Sequence, residues 1–90
     1  MATVTGQWKK ELTRELKRRI VAAGGNGVGV TGGRGTAWGW IEVLGPGGGS
    51  FTDAQRSAVR QVTSGEPGGN YWCDELKEVG ELLGMPHPEW

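Results

Sequence analysis

One cysteine, one histidine and no long apolar run are the first constraints this sequence imposes. With Cys73 alone no internal disulfide can form, and one Cys with one His cannot assemble an ordinary zinc site. No stretch approaches the roughly 18 to 20 apolar residues that a membrane-crossing helix needs. The opening MATVTGQWKKEL also lacks the apolar core of a secretory signal, so the expectation is a cytoplasmic protein without a membrane partner. Net charge is absent too, with ten Lys and Arg against ten Asp and Glu.

Catalytic groups are equally scarce. His87 lies between two prolines near the end of the sequence, too loosely held to act as a general base. Cys73 has no local charged partner of the kind that marks an activated thiolate, and reads as a small hydrophobe. Asp74, Glu75, Glu78 and Glu81 fall at helical spacing and read as a solvated helix face. Residues 27–32, GVGVTG, satisfy the letters of a dinucleotide-binding loop, but that loop needs a strand before it and a helix after it. Here the order is reversed, and no acidic residue follows about 20 positions on in a second βα unit. The sequence predicts no enzyme, no cofactor and no metal.

What is abundant is glycine and tryptophan: 18 and 5 of 90 residues. The glycines alone would suggest disorder, whereas the indoles and three amphipathic stretches argue for one small packed domain with glycine-rich connections. From residue 5 to 23, Trp8, Leu12, Leu16, Ile20 and Ala23 recur at spacings of four and three, forming one helical stripe. Thr5 is the expected N-cap and Gly24 the expected C′ residue, with Arg18 and Arg19 facing the negative end of the helix dipole. Lys10, Arg14, Lys17 and Arg18 fall on the opposite side of the same wheel as a basic face. Charge is segregated along the chain, about +4 over residues 1–23 and −5 over residues 66–90.

GNGVGVT and TAWGWIEVL, separated by GGRG, predict a β-hairpin. Alternation along the second strand puts Ala37, Gly39, Ile41 and Val43 on one face and Trp38, Trp40, Glu42 and Leu44 on the other. With helices over the first face, Gly39 would be small because a helix lies against it. Thr52 and Gln55 have capping-box spacing after a flexible GPGGGS loop. The helix that follows is expected to bury Ala54, Ala58, Val59 and Val62 and to stop at Gly65. A last helix, capped by Asn70, would carry Trp72, Leu76, Val79 and Leu83, weakened by Gly80 and ended by Gly84; the rival reading makes residues 71–73 a short third strand before a shorter helix. The fold class is α+β, an α-β-β-α-α domain over residues 1–84 with a tail at 85–90.

Two adjacent indoles opposite the packing face form an apolar patch beside Glu42, and such patches mark binding surfaces. Arg34, held between glycines at the hairpin tip, adds a cation able to meet a phosphate or carboxylate. The expected function is therefore a protein-interaction module acting through Arg34, Trp38, Trp40 and Glu42. The alternative is nucleic-acid binding through Lys10, Arg14, Lys17 and Arg18, with the indoles stacking on bases. A homodimer sealed through the tryptophan face is a third reading.

GGRGTAWGWIEV followed by FTDAQRSAVRQV resembles a pattern in small uncharacterised proteins of high-GC bacteria, their phages and plasmids. The resemblance covers about residues 27–64 and implies no established activity, only an accessory or mobile-element protein that acts by binding; the interaction-module reading takes the form of a small inhibitor or adaptor.

Overall fold

The four-and-three spacing near the N-terminus resolves into helix α1, Val4–Ala22, in a computed structural model that describes residues 4–32 and 39–87. Trp8, Leu12, Leu16 and Ile20 are all buried on its inner side. The helix already includes Val4, so Thr5 lies inside it and is not its N-cap. Its end is as expected. Gly24 turns left-handed at φ +103°, and the amides of Gly25 and Gly24 donate to the carbonyls of Ile20 and Val21, the paired bonds of a Schellman cap. Gly25 must be small: a Cβ there would sit 2.6 Å from Ile20 Cγ2 and 2.9 Å from Ala58 Cβ, where α1 crosses the next helix.

Strands β1 (Gly29–Gly32) and β2 (Trp40–Leu44) pair antiparallel, Gly29 opposite Leu44 and Gly32 opposite Ile41. Helix α2 (Asp53–Thr63) follows, with the capping box present in both directions: Gln55 N donates to Thr52 Oγ1 and Thr52 N donates to Gln55 Oε1. Gln55 does more than cap. It is buried, and its amide donates at 2.6 Å to the carbonyl of Asn26, fixing the α1–β1 connection. Ala54, by contrast, is exposed, and the buried residues of α2 are Gln55, Ala58, Val59 and Thr63. The helix stops one residue earlier than expected, at Ser64 in the left-handed region (φ 58°). Gly65 has another purpose: a Cβ on it would collide with Trp72 Nε1.

The third strand is real. Residues Tyr71–Glu75 form β3, antiparallel to β2, and α3 is only Leu76–Leu82. The apolar spacing of Trp72, Leu76, Val79 and Leu83 does mark buried residues, but Trp72 reaches the core from a strand. Asn70 is not a cap. Its carbonyl accepts from Gly45 N at 3.0 Å and its side chain donates to Gly48 O at 3.4 Å, so the GPGGGS segment is a defined turn tied to the start of β3. Gly80 is buried under the Trp8 indole, and α3 closes with a second Schellman pair around Gly84 (φ 73°).

The result is an α+β domain: a sheet of order β1-β2-β3 with helix α1 packed on one side of it, α2 packed against α1, and α3 against α1 and the sheet. Ile41, Val43 and Trp72 point into that core with Phe51, Val59, Leu76 and Val79. The chain then folds back. Trp8 Nε1 donates to the carbonyl of Met85 at 2.7 Å, and the ring of His87 meets the same indole edge-on with centroids 4.9 Å apart. His87 is buried, so it is held in place and is not a loose tail residue.

Candidate functional site

Antiparallel pairing decides which side chains share the surface away from the helices. Leu76 N donates to Gly39 O and Gly45 N to Asn70 O, which makes 39/76 and 45/70 hydrogen-bonded positions. The pairs between them, Trp40 with Glu75, Glu42 with Cys73 and Leu44 with Tyr71, are then of the closer, non-hydrogen-bonded type, with Cα atoms about 4.5 Å apart. All six side chains lie on the outer face, joined on β1 by Thr31 opposite Glu42.

The face assignment made from alternation holds for the described part of the strand. Ile41 and Val43 are fully buried, while Trp40 is 41% exposed and Glu42 half-buried on the other side. The reason offered for Gly39 does not hold. Nothing lies within 4 Å of a Cβ built there, so no helix packs against it. Gly39 instead borders a shallow depression lined by Trp40, Glu75 and Lys77. Arg34 and Trp38 lie outside the described residues.

Tyr71 and Cys73 join the candidate surface because the rival reading of residues 71–73, a short third strand, is the one the fold adopts. Tyr71 is as exposed as Trp40, at 41%, and stands two residues from Cys73 on the same face. Hydrogen bonding to the Cys73 side chain, followed by desolvation and by negative charge on Cys73 and Glu42, pushes the phenol up to about 12. The available signal was the alternation in YWCDE, where Trp72 and Asp74 oppose Tyr71, Cys73 and Glu75.

On the far side of the domain, Lys10, Arg14, Lys17 and Arg18 are exposed on α1, as its wheel requires. They are not equivalent. Arg18 donates through Nε at 2.8 Å to Glu15, which also accepts from Arg19 at 2.7 Å. The two guanidinium groups, Arg18 first, hold the Glu15 carboxyl down at about 2. Arg18 is thus paired on the helix itself, whereas Lys10, Arg14 and Lys17 form no ion pair among the described residues.

Among the described residues no three His, Cys, Asp or Glu side chains gather as metal ligands, and no helix is long and apolar enough to cross a membrane. In comparisons with known proteins, the chain matches no family model, no curated protein and no solved structure.

Proposed function

We propose that the protein is a small non-catalytic interaction module whose working surface is the outer face of the sheet. The observation that carries this reading is the pair of large aromatic side chains, Trp40 and Tyr71, each about two-fifths exposed on a face that neither α1 nor α2 covers. Leu44 lies opposite Tyr71, so the aromatics and an aliphatic side chain share one surface. Exposed clusters of this kind suit a partner contact, and Trp and Tyr are the residue types that anchor interfaces. Glu42 stands among them. The sequence reading adds Arg34 and Trp38, which lie outside the described residues. An inhibitor or adaptor is one form of this reading, and the resemblance over residues 27–64 suggests a phage or plasmid setting.

The test compares stability with capture. Trp40→Ala and Tyr71→Ala should each cost less than about 1 kcal/mol of folding free energy, whereas Ile41→Ala should cost about 2 to 5 kcal/mol. A native-host protein retained by the wild type and lost with both surface variants supports the reading. Retention by both, at unchanged melting temperature, sinks it.

Nucleic-acid binding has one observation in its favour: Lys10, Arg14 and Lys17 are exposed and unmatched on the side of the domain away from Glu42 and Glu75. Phosphate contacts by these three would show as binding that weakens steeply with salt and vanishes when all three become glutamine.

A further inference from the structure

Glu42 occupies the middle of the outer sheet face. Thr31 and Cys73 are its cross-strand neighbours, Trp40 and Leu44 flank it along β2, and Tyr71 and Glu75 stand at the diagonals on β3. The residue is half-buried, and its carboxylate makes no hydrogen bond or ion pair with any described residue. Of the other described carboxylates, Glu15 is paired with Arg18 and Arg19 and Glu66 with Arg60, Asp74 accepts from the amide of Glu75, and Glu11, Asp53, Glu78 and Glu81 are exposed to solvent. Glu75, at the edge of the same face, is exposed to solvent. Among the described residues Glu42 is an unpaired, half-buried anion set between two exposed aromatics.

That arrangement discriminates between occupants. Covering Glu42 with a purely apolar surface would strip water from a charge and give nothing back, which is strongly unfavourable. A nucleic-acid backbone would bring phosphates against it. A second copy docked face to face by a two-fold axis would bring the Glu42 and Glu75 carboxylates of both protomers together. The complementary occupant is a cation carried on an apolar stem, because exposed Trp40 and Tyr71 flank Glu42 on the same face.

Resting on the reading of this face as an interaction surface, we propose that its occupant is a segment of another protein that places a lysine or arginine side chain on Glu42, between Trp40 and Tyr71, with apolar neighbours against Leu44. The carboxylate supplies charge and the exposed indole supplies apolar and π surface. Glu42 then serves specificity: it rejects anionic and purely apolar segments that the aromatics alone would tolerate.

The experiment selects a random peptide library displayed on phage against the wild-type protein, then measures the enriched peptides by calorimetry on the wild type, Glu42→Gln, Trp40→Ala and Tyr71→Ala. Enriched peptides should carry Lys or Arg flanked by apolar residues, and Glu42→Gln should weaken them on the order of tenfold or more. Replacing the peptide cation by citrulline or norleucine should cause the same loss in the folded wild type, with no further loss in Glu42→Gln. Peptides that lack a cation and lose affinity with Trp40→Ala but not with Glu42→Gln overturn the cation assignment while the surface itself survives. Peptides indifferent to both aromatic substitutions, or no enrichment at all, overturn the surface as well.

Discussion

Gly80 lies directly beneath the indole of Trp8: a Cβ at that position would stand 2.8 Å from Cζ2 of the ring and 2.9 Å from the carbonyl oxygen of Met85. A glycine inside a helix costs about 1 kcal/mol relative to alanine. Here the missing side chain is the space into which a residue from the other end of the chain packs.

Gly80→Ala should therefore destabilise the domain although it improves helix propensity. Overpacking costs about 1 to 3 kcal/mol, against the propensity gain of about 1 kcal/mol. Urea denaturation should show a lower midpoint at an unchanged slope; a midpoint above the wild type would mean that the indole can shift aside.

Gly39 and Gly65 should respond in opposite ways. Gly39→Val enters open space at the start of a strand and should stay within about 0.5 kcal/mol of the wild type. Gly65→Ala drives a methyl group into Trp72 and should cost about 1 to 3 kcal/mol. Melting temperatures of the two variants decide this.

Tyr71 is the only tyrosine, so its ionisation can be followed by tyrosinate absorbance without interference from a second phenol. The midpoint should fall near 12 in the folded protein and move toward 10.0 in Cys73→Ala. Because the folded state raises this pKa, the stability it contributes is fully present below pH 10 and is lost as pH rises toward 12. A wild-type midpoint at 10 would show that Tyr71 does not bond to Cys73.

Glu15 gives the opposite sign. Its carboxyl is held at about 2 by Arg18 and then Arg19, against an ordinary value of 4.5, so its contribution is present above pH 4.5 and disappears as pH falls through 2. Glu15→Gln should lower the melting temperature at neutral pH and converge with the wild type near pH 2. Parallel curves over that range would remove the pair from the stability of α1.

Where one element dictates its own pattern, the sequence was easy to read. The α1 stripe, the Gly24 cap and the Thr52–Gln55 capping box need only local periodicity and local hydrogen bonds. The split between Ile41/Val43 and Trp40/Glu42 follows from the period of a strand. Residues 71–75 were ambiguous because Trp72 sits at helical spacing from Leu76, and only pairing with β2, whose residues lie about 30 positions earlier, makes them a strand. The roles of Gly65 and Gly80 depend on Trp72 and Trp8 arriving from elsewhere, which no local window contains. Tyr71 could join the candidate surface only once β3 existed.

The bond from Trp8 to Met85 joins positions 77 residues apart. A ribosome making this protein has released α1 long before the residues that cover its first indole exist. Until Gly80, Met85 and His87 emerge, Trp8 must wait with part of its apolar surface uncovered. The sheet is delayed in the same way, because β2 pairs with a strand made after α2. Contacts of such long range slow folding. Closure of the core thus waits on residues 85–87, and a nascent chain stalled before them would present an open, aggregation-prone layer to the cell's chaperones.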